Sequence, residues 1–236
     1  VTTVDLWLID CRQPEAVVAE LWRSLDERER ERAARAKPEV RRRLTVTRGA
    51  VRQLVAARLG LRPAEVRWRY GPHGKPEPES ESEDAPESQR APGLRVSWTG
   101  SEDFAALALA EGERPVGVDV ERTADARTAE RLARRCFPPE EARFVAEGPT
   151  PEERSARFTA LWCRREACVK AYGGRLAQSF ALPVAGPSPL VLPDAGALGP
   201  GPVRLCDVPV PGAFHGALAL SGAAPVHVNS RSWQLS

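Results

Sequence analysis

The chain has 236 residues, 42% of them hydrophobic, enough to pack one large domain or two small ones. Its longest apolar run falls far short of the roughly 20 residues that a membrane span needs. Five cysteines, an odd number with no CxxC pair, argue against a disulfide scaffold or a zinc site and for reduced thiols in a cytoplasm.

The net charge of +2 conceals segregation: Arg32 to Arg58 holds nine basic residues and one acid, and Glu77 to Glu87 holds six acids and no base. The basic segment suits phosphates or an acidic partner, or simply a solvated helix face. It has no groove-entering motif and no interleaved aromatics, so nucleic acid is not its expected partner. Arginine outnumbers lysine 31 to three, so Lys37, Lys75 and Lys170 stand out. Lysine offers a compact charge and a movable proton that arginine does not.

The N-terminal VTTVDLWLID has no basic stretch ahead of its apolar residues and reads as a first strand, Val4 to Ile9, not a signal peptide. Pro14 opens a helix with Val17, Val18, Leu21 and Trp22 on its apolar face, and a charged helical stretch follows from Asp26 to Ala36. Beyond Pro38 a longer helix runs to Leu59, with Gly60 as its stop. A strand from Val66 to Tyr70 leads into the turn GPHGKP (71–76), and residues 77–93, rich in Pro, Glu and Ser, read as a mobile surface loop. Strands follow at Leu94–Trp98, Phe104–Ala110 and Val116–Val120, then a short helix from Pro138-Pro139. Thr150-Pro151-Glu152-Glu153 starts a helix that should run to about Tyr172 and stop at Gly173-Gly174. Residues 183–202 read as a Pro/Gly-rich loop, and strands at Val203–Val208, Phe214–Leu220 and Val226–Trp233 close the chain.

FAALALA (104–110) is echoed by FHGALAL (214–220). The expected fold is therefore α/β (α+β), a pseudo-dimer of two similar halves, 1–111 and 112–236, with the active-site cleft between them. Chance likeness of two Ala/Leu strands is the competing explanation.

Three segments carry chemistry. In VGVDVE (116–121), strand alternation puts Val116, Val118 and Val120 on the core side and Gly117, Asp119 and Glu121 on the other. The two carboxylates repel, a divalent cation would relieve that repulsion, and the glycine would leave room for a ligand. In FTALWCRREACVKAYGG (158–174), Trp162, Glu166 and Lys170 fall at i, i+4 and i+8, one helix stripe, with Arg165 one position off it. A plain Glu166–Lys170 surface pair is the bland alternative. In GPHGKP, Lys75 projects from a glycine-rich turn suited to a phosphate, without the spacing of a P-loop.

In order, GKP (74–76), GVDVE (117–121), CFPPEE (136–141) and WCRREACVK (162–170) resemble the motifs of the broad-specificity, Sfp-type 4′-phosphopantetheinyl transferases. The resemblance implies an enzyme of the holo-acyl-carrier-protein synthase type. It would move phosphopantetheine from coenzyme A to a serine of an acyl or peptidyl carrier protein, with 3′,5′-ADP leaving. It implies Mg²⁺ on Asp119, Glu121 and Glu166, with Glu166 or a water as base and Lys170 on the leaving group. Arg43, Arg48 and Lys75 are the candidates for the coenzyme A phosphates. Two positions depart from the family: Arg165 replaces a lysine, and in RVSWTGS (95–101) Ser97 and Thr99 match S-H-S/T while Trp98 replaces the phosphate-binding histidine. Tryptophan could instead stack on adenine or offer its N–H. A non-catalytic coenzyme A- or carrier-binding homologue and a metal-dependent phosphohydrolase are the rival readings. Size and the apparent duplication favour a monomer, with no membrane partner.

Overall fold

The computed structural model describes residues 1–79 and 93–235. Its first strand, β1 (Thr2–Asp10), is buried on both faces. Val4 and Leu6 point to one apolar cluster, and Trp7 and Ile9 point to another. That two-sided burial follows from alternation along a strand in the middle of a sheet.

Helix α1 (Glu15–Ser24) and the charged α2 (Glu27–Ala34) follow. Asp26 caps α2 by accepting from the Glu29 amide, and the Glu29 side chain reaches back in a capping box. The long α3 (Pro38–Leu59) ends where Gly60 adopts φ +68°, the left-handed stop expected of it. The strand expected from Val66 is shorter, because Pro63–Glu65 forms a 3₁₀ turn and β2 spans only Trp68–Tyr70. It pairs with β3 (Pro76–Pro78), so residues at the start of the expected 77–93 loop are in a hairpin. Residues 80–92 of that loop lie outside the described residues.

Strands β4 (Leu94–Ser101), β5 (Phe104–Glu111) and β6 (Val116–Arg122) follow as expected, each slightly longer. The next helix, α4 (Ala126–Cys136), has no counterpart in the sequence reading. Its buried residues are Ala129, Ala133 and Cys136, with Leu132 packed beside them and a strongly charged face opposite, an amphipathic pattern that the sequence reading did not use. Helix α5 (Pro139–Ala146) precedes α6 (Pro151–Tyr172), whose Thr150 cap accepts from the Glu153 amide and whose stop is Gly173 at φ +66°. The 183–202 segment is not all loop: it holds β7 (Leu190–Leu192). Strands β8 (Val203–Asp207), β9 (Phe214–Ser221) and β10 (Val226–Ser232) complete the chain.

The strands form two four-stranded sheets, ordered β10-β1-β5-β4 and β6-β9-β8-β7. β10 returns to the first sheet and pairs in parallel with β1, while β8 and β9 stay in the second. Val46, Val51 and Val55 of α3 pack with Ile9, Leu107 and Leu109 of the first sheet. Phe158, Leu161 and Ala167 of α6 pack with Leu205, Ala217 and Ala219 of the second. A third cluster joins the sheets, from Leu6, Ala106 and Ala108 to Val118, Leu218 and Leu220. The two echoed strands, β5 and β9, meet there, with the Phe104 and Phe214 rings 5.3 Å apart. Among the described residues, no helix is long and apolar enough to cross a membrane.

Candidate functional site

The alternation expected for β6 holds: Val116, Val118 and Val120 are fully buried between the sheets, and the odd positions face α6. Gly117 serves a different purpose from the one expected. A Cβ there would sit 2.0 Å from the Ala167 carbonyl oxygen and 2.3 Å from the Ala171 nitrogen. The glycine makes room for the α6 backbone, not for a ligand, and so brings β6 and α6 close enough for their side chains to meet.

Asp119 is fully buried at that crossing. Its Oδ1 accepts from Lys170 Nζ at 2.5 Å and from Thr99 Oγ1 at 2.9 Å. Among the described residues its buried Oδ2 has no hydrogen-bond partner of ordinary geometry, although the Cys163 thiol lies beside this carboxylate. Lys170 also donates to Thr99 Oγ1 at 2.8 Å. Its ion pair is with Asp119 on the neighbouring strand, which sets aside the simple Glu166–Lys170 surface pair. Burial works against the Lys170 charge, but Asp119, then Glu166 and Glu121, hold its ionisation above the ordinary lysine range. Burial, then the Asp119 charge, pushes Glu166 up to about 7. The same two causes raise Glu121, which accepts from Ser101 Oγ at 2.7 Å.

On the rest of α6, Trp162 lies beside Phe158 of the same helix and packs against Phe137 outside it, with ring centroids 5.5 and 6.4 Å away. Arg165 turns away from the acids. It is fully buried over the Phe137 ring, ion-paired with Glu141 of α5, and donates to the Leu182 carbonyl at 2.8 Å. The other Glu141 oxygen accepts from the Ala185 amide at 2.7 Å. In this chain, the CFPPEE segment and Arg165 therefore form a structural joint.

Asp119, Glu121 and Glu166 suit a hard divalent cation in donor type: three carboxylates, two of them raised by burial and then by a neighbour's charge, and one bare buried oxygen. As they stand, no three His, Cys, Asp or Glu among the described residues are gathered into a metal-binding cluster, and Lys170 partly neutralises Asp119.

Two recesses flank this cluster. One, of about 440 Å³, is lined by Arg28, Arg32, Arg48, Lys75, Trp98 and Lys170, among others. The other, of about 380 Å³, is lined by Arg43, Arg48, Trp98, Glu121, Glu166 and Lys170 with their neighbours. Leu44, Arg48, Trp98 and Lys170 form their shared wall. The Arg48 guanidinium lies 4.5 Å over the Trp98 ring, which also meets Trp68 at 5.1 Å. Among the described residues Arg48 Nη1 is buried without a partner, and burial pulls the group's ionisation below its ordinary value, opposed by the Glu29 charge. Such a cation attracts an anion.

Two expected ligand contacts are spent on the protein itself. Lys75 lines the larger recess, but its Nζ donates to the Ala171 and Val116 carbonyls at 2.6 and 3.1 Å. Burial pulls Lys75 down to about 8. Ser97 Oγ accepts from the Val118 amide at 3.0 Å. Conversely, Thr99 and Ser101 touch the acids directly, although sequence reasoning gave neither a role. Their signal was the alternation of hydroxyls at 97, 99 and 101 on one strand.

A family model described as the 4′-phosphopantetheinyl transferase superfamily matches residues 115–189, which contain β6, α4, α5 and α6. The 4′-phosphopantetheinyl transferase HetI of Nostoc sp. (strain PCC 7120) is 32% identical over 176 residues, which cover 74% of this chain and 70% of HetI. The putative 4′-phosphopantetheinyl transferase slr0495 of Synechocystis sp. (strain PCC 6803) is 32% identical over 137 residues, 58% of this chain and 52% of that relative.

Proposed function

Because the chain belongs to the 4′-phosphopantetheinyl transferase superfamily, we propose that it moves the 4′-phosphopantetheine arm of coenzyme A to a serine of an acyl or peptidyl carrier protein. On this reading it is a transferase of the broad-specificity Sfp type, of holo-acyl-carrier-protein synthase activity, working as a monomer in the cytoplasm. The observation that carries the reading is the meeting of Asp119 and Lys170 beside Glu121 and Glu166, on the wall of an arginine-rich recess. A phosphohydrolase needs only the carboxylates and leaves the Trp162–Glu166–Lys170 stripe unexplained.

The proposed organisation is two α/β halves, 1–111 and 112–236, as a pseudo-dimer with the site at their joint. The echo of β5 in β9 and their contact through Phe104 and Phe214 support it, with β10 crossing back to the first sheet.

Mg²⁺ held by Asp119, Glu121 and Glu166 would neutralise charge on the coenzyme A pyrophosphate. Arg48 and Arg43, which line the recess, would bind its phosphates, and the Trp98 face would hold Arg48 or a base. Lys75 is assigned a supporting part, holding the wall of the recess through its two carbonyls. Ser97 likewise fixes the β4 backbone beside Trp98. The carrier serine oxygen bonds to the phosphorus that bears pantetheine. The bond from that phosphorus to the bridging oxygen of 3′,5′-ADP breaks, and its electron pair stays on that oxygen. Glu166 or a water would take the serine proton, and the Lys170 ammonium would stabilise the departing oxygen.

The test is the mass of a carrier protein after incubation with coenzyme A and Mg²⁺. A gain of one phosphopantetheine is expected, and Asp119→Ala or Glu166→Ala abolishes it. Full activity in either variant sinks the mechanism. Trp98, standing where the family has histidine, favours a second reading, a non-catalytic homologue. An unchanged carrier mass with coenzyme A still bound in calorimetry selects that one.

A further inference from the structure

β6 is the edge strand of the second sheet, and an edge strand leaves outward amides to be satisfied. β4 of the other sheet lies along that edge and satisfies them with side chains. Ser97 Oγ accepts from the Val118 amide at 3.0 Å, and Ser101 Oγ accepts from the Arg122 amide at 3.2 Å. Ser101 then gives its own proton to Glu121 Oε2 at 2.7 Å. Between the two serines, Thr99 accepts from Lys170 and donates to Asp119. The three hydroxyls occupy alternate positions of one strand, hence one face, while Trp98 packs against α3 on the opposite face.

Each hydroxyl has one proton, and those of Thr99 and Ser101 go to carboxylates. The Lys170 ammonium can only donate, so it takes a Thr99 lone pair and leaves the Thr99 proton for Asp119. This holds Asp119 Oδ1 in place and leaves Oδ2 bare. We propose that Thr99 and Ser101 are positioning residues: from the opposite sheet they fix the orientations of Asp119, Lys170 and Glu121, so that the oxygens left unbonded are those offered to a divalent cation. Among the described residues Glu166, on α6, receives no such hydroxyl. Two acids are thus locked from β4, and the third is not. The inference rests on the transferase reading for its consequence in catalysis, but its effect on cation binding stands by itself.

The experiment titrates wild type, Thr99→Val, Thr99→Ser and Ser101→Ala with Mn²⁺ by calorimetry without coenzyme A, then measures carrier modification by mass. Removing an outer hydrogen-bond partner of a metal ligand typically costs about 10–100-fold in affinity or activity. Thr99→Val should weaken Mn²⁺ binding and lower kcat by a factor in that range, with the KM for coenzyme A unchanged. Thr99→Ser should restore both, and Ser101→Ala should weaken Mn²⁺ by a smaller factor. Wild-type Mn²⁺ affinity and kcat in Thr99→Val overturn the proposal. So does a Thr99→Ser variant as impaired as Thr99→Val, since packing of the methyl group would then be the cause. If Thr99→Val does not fold, unaltered Mn²⁺ binding in Ser101→Ala overturns it instead. A wild-type chain that binds Mn²⁺ and leaves the carrier unmodified defeats the transferase reading, while the calorimetry still decides the positioning role.

Discussion

Two arginines one turn apart on α3 show how differently a buried charge can be treated. Arg52 is fully buried and saturated: it is ion-paired with Asp26 and Glu29 and donates to the Pro63 and Val66 carbonyls at 3.0 and 2.9 Å. Arg48 has no carboxylate ion pair among the described residues, leaves Nη1 unpaired, and rests on an indole ring. Burying a charge is costly unless it is paired. Arg52 meets that cost within the fold and so reads as structure. Arg48 leaves it unmet and so reads as half of a binding contact. α6 repeats the lesson, with Arg165 paired to Glu141 on one side and the bare Asp119 oxygen reached from the other.

The largest expected effect separates the two arginines outright. Arg52→Ala strands the buried Glu29 and half-buried Asp26 and should destabilise the fold by about 3–5 kcal/mol, read in chemical denaturation. Arg48→Met should leave stability nearly unchanged or raise it. Its effect should fall on coenzyme A, with the KM raised about 10–100-fold, as a lost charged hydrogen bond of about 1.5–3 kcal/mol implies. A stability loss in Arg48→Met as large as that in Arg52→Ala would erase the contrast.

The smallest effect concerns the acids. Glu166 has an ordinary value of 4.5 and is held at about 7 in the fold. Between those values the folded chain keeps a proton that the unfolded chain releases, so stability falls as pH rises. The metal-free protein should therefore lose melting temperature from about pH 4.5 to about pH 7. Glu166→Gln should flatten that slope, and added Mg²⁺ should offset it at the upper end. A melting temperature that rises across this window in the metal-free protein contradicts the assignment.

Most elements were legible because their signals are local. Capping at Thr150 and Gly173, the stop at Gly60 and the valine alternation of β6 depend on neighbours within a turn. α4 was missed although its small apolar stripe opposes a strongly charged face, so its local signal was present in the sequence. Lys75 was read as a phosphate ligand because a glycine-rich turn says nothing of the two carbonyls that its chain reaches.

By itself, the sequence determined that Asp119 and Glu121 share a strand face and that Glu166 and Lys170 share a helix stripe, because both follow from backbone periodicity. Only the tertiary structure decided that the two faces meet, through Gly117 yielding to the α6 backbone. It also decided that Thr99 and Ser101 stand over the acids, since one sheet lies along the open edge of the other. Side-chain direction is a local property of the chain, whereas the partner it finds belongs to packing between distant segments.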